Sequence, residues 1–225
     1  MNKKLGILLL SIITTMLVVG FAYAAEPSGA TVSGETDLGE FNAQAAGAVS
    51  VEAGNVTQAD LDTNQSTFRW VGLLGDVSGN IILGDNNNVS LYTWVAEGNL
   101  VYASVGTVNW ANLATATSGD VTANNAYLAT GSDNYDATFI GASEDIGSNI
   151  FTINANFSST ASNGGTDWKT YALDDGSANS VFAGKVNAGN QDYAGAAADY
   201  QMIIPEDGTA GNTLATSYNL WVELV

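Results

Sequence analysis

The sequence lacks two residue types on which many protein sites depend. Among its 225 residues there is no cysteine and no histidine. An exported domain without disulfides must be held together by its core, by metal or by assembly with its neighbours. Zinc, copper and haem lose their usual ligands, and cysteine-nucleophile chemistry loses both its nucleophile and its usual base. These absences exclude the commonest metalloenzymes and thiol enzymes.

Basic residues are also scarce. Lys and Arg number 5 against 23 Asp and Glu, for a net charge of −18. Lys3 and Lys4 fall in the leader described below, so 3 basic residues face 23 acidic ones in the mature chain, a net charge of −20. Such a surface repels phosphate backbones and anionic lipid, which excludes nucleic acid as a partner. Only 12% of the residues are charged, so this is not a densely acidic halophile surface.

One long hydrophobic run lies at the amino terminus. Lys3 and Lys4 precede an almost uninterrupted apolar stretch over residues 5–21, and Ala22-Tyr23-Ala24-Ala25 offers an A-x-A-like cleavage site. This pattern predicts a secretory signal peptide over residues 1–25 and a secreted, extracellular or cell-surface protein with no membrane segment after cleavage. Two alternatives remain open. One is an uncleaved anchor, at the short end for a membrane span; the other is a pilin-type leader cut near Gly6.

The stretch from Ser66 to Val95 sets the expected fold class. It alternates short runs of β-branched, aromatic and leucine residues with Gly, Asn and Asp turns, a pattern typical of a β-meander of three strands. A helix of this length would not tolerate so many glycines and asparagines. Further strands are predicted at 100–105, 135–140, 149–157, 168–173, 180–186, 199–204 and 218–225, with a loop at 158–166 and a loop or short helix at 113–126.

Together these patterns predict an all-β protein in which no helix after the leader is strongly indicated. We expect a single β-sandwich or jelly-roll domain of about nine or ten strands over residues 64–225. The last strand is hydrophobic to its final residue, so we expect it to be paired within the sheet, because an exposed edge of that kind would aggregate.

Residues 26–63 are expected to form a flexible N-terminal arm. One interpretation is a stalk followed by an ordinary first strand at Ala48–Glu52, where Val49 and Val51 alternate with polar residues. The other is a donor strand that adds itself to the sheet of the next subunit. The small apolar residues that would fill a groove there are Ala30, Val32, Ala46, Ala48, Val49 and Val51.

Calcium is the metal that the residue types could bind. Turn residues Asp85, Asp133, Asp136, Asp174 and Asp175 carry hard oxygen ligands of the kind that calcium prefers. Turn geometry alone also demands Asp and Asn at such positions, so these residues are weak candidates. No cofactor is expected apart from this possible Ca²⁺.

Other site patterns are weaker. Asn55, Asn64, Asn88 and Asn156 begin N-glycosylation sequons, although four is near chance in a chain this rich in Asn, Ser and Thr. No pair of carboxylates is singled out by spacing for glycoside hydrolysis, and the commonest general base is absent, so we expect no enzyme. The tryptophans could form a carbohydrate platform if exposed, but in alternating strands large aromatic residues mostly belong to the core.

The segments WVGLLGDVSGNIILGDNNNVSLYTW, DYQMIIPEDG and NLWVELV resemble secreted β-sandwich proteins of archaeal cell surfaces, including subunits of pilus-like or thread-like extracellular filaments. The resemblance implies a leader, a flexible arm and an acidic jelly-roll without cysteine, built into a homopolymer. The expected function is therefore a structural subunit that assembles with copies of itself, with glycans as possible further partners. The alternative is a monomeric carbohydrate- or calcium-binding surface module.

Overall fold

The computed structural model describes residues 26–42, 44–177, 179–207 and 215–225. The predicted signal peptide, residues 1–25, lies outside these ranges. Within them the chain is mostly β-strand, and every strand pairing is antiparallel, which confirms the predicted all-β fold.

The elements follow one another in short segments. The strands are β1 (Ser28–Gly29), β2 (Trp70–Gly75), β3 (Gly79–Gly84), β4 (Ser90–Ala96), β5 (Gly98–Ser104), β6 (Ala114–Thr115), β7 (Gly141–Asp145), β8 (Asn154–Thr160), β9 (Trp168–Asp174), β10 (Ser180–Lys185), β11 (Asn190–Gln191), β12 (Ala197–Ala198), β13 (Tyr200–Pro205) and β14 (Asn219–Leu224). The helices are α1 (Ser118–Asn124) and α2 (Tyr135–Thr138), with 3-10 turns at Trp110–Asn112 and Ala126–Ala129. In the described part of the chain, none of the helices has the length and apolar character needed to span a membrane.

The main sheet has eight strands. Its order is β1-β14-β5-β10-β9-β8-β7, with the short β6 also paired to β9. The three strands predicted over Ser66–Val95 and those at β5, β9, β10, β13 and β14 are confirmed, with boundaries shifted by a residue or two. The predicted three-stranded meander is wrong, because β2 pairs with β13 and only β3 and β4 pair with each other. The final strand does pair within the sheet, with β5 on one side and β1 on the other.

Both faces of the main sheet are buried at its centre. One face carries Leu100, Tyr102 and Leu173 in a core closed by loops and by Trp110 and Trp221. The other face carries a second core, with Val101, Ala103, Ala172, Phe182, Met202 and Ile204 among its members. A strand covered on both sides needs apolar residues at consecutive positions, as in the runs LVYA of β5 and VFA of β10.

A narrower layer covers the second core. Its strands β2 and β13 pair with each other over six residues, and Met202 and Ile204 of β13 point into the core. Helices α1 and α2 cover the rest of this face through Val121, Tyr135 and Phe139. Among the described residues, the layer opposite the eight-stranded sheet is thus formed by one pair of strands and two short helices. The sandwich or jelly-roll layout stays a prediction.

The strand predicted at 135–140 is wrong, whereas residues 113–126, predicted as a loop or a short helix, do contain the helix α1. Residues Tyr135–Thr138 form α2, where the Asn134 side chain accepts a hydrogen bond from the Ala137 amide at 2.8 Å. The rings of Tyr135 and Phe139 stack one helical turn apart, 4.8 Å between centroids. An N-capping side chain and an i, i+4 aromatic pair outweigh the strand preference of the individual residues.

The strand predicted at 149–157 is shifted by several residues. The observed strand β8 is Asn154–Thr160, so it includes the first residues of the predicted loop at 158–166. Residues before 154 form a loop instead, because the Glu223 carboxylate binds the Asn149 amide and the Ser148 hydroxyl. Phe151 and Ile153 still pack on the core from this loop, which explains their apolar character.

Candidate assembly surfaces

The N-terminal arm is a long exposed segment. Apart from residue 43, which is not described, residues 30–65 contain no helix or strand, and each is exposed. Apolar side chains are nevertheless spaced along it: Val32, Leu38, Phe41, Val49, Val51, Val56 and Leu61, each 58% exposed or more. A loop of this length without structure of its own is uncommon in a compact domain unless it has a function or is disordered.

The arm starts on its own molecule. Pro27 is buried, and Ser28 and Gly29 pair with Val222 and Trp221 of β14. The Ala30 amide then donates a hydrogen bond to the Leu220 carbonyl at 2.9 Å. Among the predicted donor residues, Ala30 is therefore held at the edge of its own sheet.

The other predicted donor residues have no such contact with the sheet. Val32, Ala46, Ala48, Val49 and Val51 are exposed and belong to no strand of the single chain. The interpretation of Ala48–Glu52 as an ordinary first strand of its own domain is therefore wrong. The donor-strand interpretation remains a prediction, because it concerns pairing with a second copy.

The narrow layer has open strand edges. Strands β2 and β13 pair only with each other among the described residues, so the outer edge of each carries no strand partner. Val71 and Gly72 are exposed in the middle of β2. An unpaired edge presents free backbone amides and carbonyls, which form a template for another strand. On β13 the Ile203 amide already donates a hydrogen bond to the Thr170 hydroxyl at 3.1 Å, so β2 has the more open edge.

Strands β3 and β4 form a hairpin that pairs with no other strand in the described residues. The register places Ile81 opposite Trp94 and Leu83 opposite Tyr92, so these four side chains share one face of the ribbon. Their exposed fractions are 46% for Ile81, 52% for Leu83, 57% for Tyr92 and 47% for Trp94. We call these four residues the hairpin face.

The base of the hairpin is fixed to the body. Glu97 and Val225 exchange two backbone hydrogen bonds of 3.1 and 2.9 Å. At Gly79 a Cβ atom would lie 2.7 Å from the Leu224 side chain, so the glycine lets this side chain pack closely on the start of β3. The hairpin therefore projects from the end of the sheet at a defined position while its strands stay uncovered.

The calcium candidates are scattered, and most serve their own turns. Asp85 accepts hydrogen bonds from the amides of Asn87 and Val89, which lower the pKa of its carboxyl and close the hairpin turn. Asp133 binds the Thr67 hydroxyl and pairs with Arg69 at 3.4 Å.

The remaining candidates behave alike. Asp174 accepts from the Gly176 amide, and Asp136 lies in the first turn of α2. Asp175 is fully buried and accepts from the Asn109 amide and the Ser177 hydroxyl. Within the described ranges no three acidic residues come close enough to hold a metal ion together.

The sequon asparagines occupy different surfaces. Asn55 and Asn64 lie on the exposed arm, and Asn88 lies in the hairpin turn with a positive φ of 61°. Asn156 is exposed on β8, where its side-chain oxygen accepts a hydrogen bond from Ser143. All four side chains are at the surface.

The aromatic residues do not form one platform. Trp168 is buried, and Trp70, Trp110 and Trp221 are partly buried against the two cores, as expected for large aromatic residues in strands. Trp94 is exposed, and its ring lies 4.5 Å from that of Tyr92. The one exposed tryptophan is therefore part of the hairpin face.

Sequence reasoning missed the buried carboxylate of Glu223. This residue is 2% exposed and accepts hydrogen bonds from the Tyr102 hydroxyl, the Ser148 hydroxyl and the Asn149 amide at 2.8, 3.0 and 2.5 Å. Burial and the neighbouring carboxylate raise the pKa of Tyr102. The cluster fixes the loop before β8 to β14 and offers no free catalytic group. The alternating pattern NLWVELV gave a weak signal of it, a lone charge in an apolar strand.

A cleft on the body could admit a small ligand. Its volume is about 470 Å³, and its lining is rich in amides and hydroxyls: Val105, Gly106, Thr107, Asn124, Asn125, Ser177, Asn179, Ser180, Phe182 and Tyr218. The Asn179 side chain in this cleft is already hydrogen-bonded to Ser104 and to the Thr107 carbonyl.

Comparison of the chain with protein-family models, with curated proteins and with solved structures gives no match.

Proposed function

We propose that the protein is a secreted structural subunit of an extracellular filament or surface layer. Copies assemble when the N-terminal arm of one subunit adds a strand to the sheet of the next. The observation that carries the proposal is the pairing of two features in one chain, an exposed arm with alternating valines and a narrow layer with unpaired strand edges.

The donor segment suits burial in an acidic neighbour. Residues 41–51 contain no charged residue, although the chain as a whole is strongly acidic. Val49 and Val51 lie two positions apart, so in an extended chain both side chains point to the same side. Burying each valine stabilises the contact by about 1.5–3 kcal/mol, and the backbone adds hydrogen bonds along the acceptor edge.

The edge of β2 supports the acceptor role. It lies over the second core, beside Leu73 and the exposed Val71. A strand added there would widen the narrow layer and cover apolar surface that the single chain leaves partly open. Donor and acceptor are different surfaces of one subunit, so the contact does not close on itself and produces an open chain of subunits.

The test is assembly of the mature protein, residues 26–225, followed by negative-stain electron microscopy and light scattering. Val49→Gln with Val51→Gln removes the apolar side chains of the donor segment without changing the net charge. We expect this double variant to lose polymers while its β-domain stays folded by circular dichroism. Deletion of residues 26–51 should have the same effect.

The matched control is Val56→Gln with Leu61→Gln. These residues are 101% and 93% exposed on the same arm but lie outside the proposed donor segment. The control should polymerise as the parent does. Polymers that form equally well without residues 26–51 would show that this arm is not the donor.

A further inference from the structure

We infer that the hairpin face, formed by Ile81, Leu83, Tyr92 and Trp94, is a second contact surface that pairs with the same face of another copy. This contact differs from the strand donation proposed above. It uses other residues, and it closes on itself around a two-fold axis. The inference does not depend on the arm.

The hairpin needs a cover that the single chain does not supply. An isolated two-stranded ribbon is marginally stable in water, and it gains independent stability from a third strand or from packing on its apolar face. Here four large side chains stand side by side on one face, each about half exposed. The largest apolar patch on a soluble monomer is about 300–600 Å² and is often functional.

Charge favours a second copy as the cover. The hairpin, residues 79–96, carries one charged residue, Asp85, and this lies in the turn at its far end. Two copies of a chain with so strong a negative charge repel each other wherever their acidic surfaces meet. The hairpin face is a place where two such molecules can touch without bringing carboxylates together.

The arrangement of side chains on the face is complementary to itself. The β3 strand contributes the aliphatic residues Ile81 and Leu83, and β4 contributes the aromatic residues Tyr92 and Trp94. A two-fold axis parallel to the ribbon would place the aliphatic strand of each copy over the aromatic strand of the other. Contacts between the same patch on both subunits are the rule for two-fold pairs.

The size of the face sets the expected strength. Buried aromatic side chains contribute about 150–250 Å² each, so four half-exposed large side chains offer on the order of 400 Å² per copy. Two copies would bury about 800 Å², below the usual size of a stable interface, so we expect weak pairing. Subunits already joined in a polymer would pair more strongly, because many such contacts act together.

Cysteine cross-linking tests the pairing directly, because the chain has no cysteine of its own. Leu83→Cys places one thiol on the hairpin face of the full mature chain, and Ile82→Cys places one on the opposite face of the same strand. With a short bismaleimide at about 100 μM protein, we expect covalent dimers from Leu83→Cys at least fivefold more abundant than from Ile82→Cys. Adding Trp94→Thr should reduce the Leu83→Cys dimers to the level of the control.

Sedimentation velocity on the Val49→Gln, Val51→Gln background separates the two contacts. Pairs that form at high concentration and disappear with Trp94→Thr support the inference whether or not the arm drives polymerisation. Equal cross-linking of the two thiols, or a monomer at every concentration, would overturn it.

Other occupants of the face give different outcomes, and each of them overturns the inference. Loss of all polymers with Trp94→Thr, without Leu83→Cys dimers, would assign the face to the arm of the next copy. If the protein does not pair but floats with phosphatidylcholine vesicles, and this flotation requires Trp94, the hairpin face binds lipid. If it is instead retained on a glycan array in a way that requires Trp94, the hairpin face binds sugar. Unchanged thermal unfolding of Trp94→Thr confirms that the variant is folded in each of these experiments.

Discussion

Two regions of this protein use the same kinds of residue in opposite environments. In β10 the run Val181-Phe182-Ala183 is at most 1% exposed, whereas Ile81, Ile82 and Leu83 of β3 are 46–59% exposed. The central strand β10 is covered by packed side chains on both faces, whereas the hairpin strand β3 is covered on neither face. Apolar content alone therefore does not separate a strand that stabilises the fold from one that is left for a partner.

The arm extends this comparison. Its valines are as exposed as those of the hairpin, yet it has no regular backbone pairing beyond Ser28–Gly29. The stability of the body comes from contacts within the chain, and under the two proposals the arm and the hairpin depend on contacts with a second copy. The predictions below test this division, beginning with the largest expected difference.

Amide hydrogen exchange should show the largest difference between the arm and the body. Apart from residue 43, which is not described, the amides of residues 31–65 lack helix or strand pairing and should exchange near the rate of an unfolded peptide in the monomer. Amides of β9 and β10 should exchange at least about a thousandfold more slowly, since they open only when the whole domain unfolds. Mass spectrometry of peptide fragments measures both. If residues 48–51 are slow in the monomer, the arm is structured on its own; if they become slow only in polymers, strand donation is supported.

Substitution in the core should affect stability far more than substitution in the hairpin. Phe182 is 1% exposed and packs near Phe139, with 6.2 Å between ring centroids. Phe182→Ala should lower the free energy of unfolding by about 3–5 kcal/mol, because it leaves a cavity in the second core. The control Ile82→Ala, on an exposed face, should change it by less than about 0.5 kcal/mol. Urea denaturation measures both, and comparable losses would place the hairpin within the cooperative core.

The buried carboxylate of Glu223 should contribute an intermediate amount. Glu223→Gln replaces an acceptor that binds the Tyr102 and Ser148 hydroxyls, and its amide nitrogen cannot accept from them. We expect a loss of about 2–3 kcal/mol in unfolding free energy, with faster exchange in residues 147–153. Glu97→Gln is the control, since Glu97 is exposed. No difference between the two variants would mean that the loop before β8 does not depend on this carboxylate.

Asp175 should give the smallest effect, and one that depends on pH. Burial tends to raise the pKa of this carboxyl, but hydrogen bonds from Ser177 and the Asn109 amide outweigh burial and hold it below the ordinary value of 3.8. A lowered pKa in the folded state stabilises the protein above that ordinary value, and this stabilisation is lost as pH falls through the folded value.

The Asp175→Asn variant should therefore be about 1–2 kcal/mol less stable than the parent at pH 6. The difference should shrink as the pH falls below 3.8, where the parent becomes protonated too. Denaturation curves recorded from pH 6 to pH 2.5 test this. A difference that stays constant over the range would show that the charge of Asp175 does not contribute.

Several elements could be predicted because their signal is local. The three strands of Ser66–Val95 and the strands β9, β10 and β13 follow from apolar runs bounded by Gly, Pro, Asn and Asp. The pairing of β2 with β13 instead of β3 has no such local signal. The helix α1, with its capping box between Thr117 and Asp120, lies where a loop or a short helix was predicted. The helix α2 was missed although its cap, Asn134, is also a local signal. The start of β8 was misplaced because a residue 74 positions away, Glu223, holds Asn149 in a loop.

The candidate surfaces were only half predictable. The arm could be identified by its composition, and its valines by their alternation. The hairpin was recognised as strands, but nothing in IILG or LYTWV shows that both of its faces stay uncovered. Its exposure depends on which other strands pass over it, and that is a property of the topology.

The sequence by itself determined the strands, the acidic surface, and the arm with its uncharged donor segment, because each depends on neighbouring residues or on composition. Only the tertiary structure decided which apolar strands are buried on two faces and which on none. Burial requires contact between segments far apart in the chain, as when β14 joins β5 or β13 joins β2. A local pattern specifies that a strand has an apolar face, and the fold of the whole chain decides whether its own residues or those of another copy cover it.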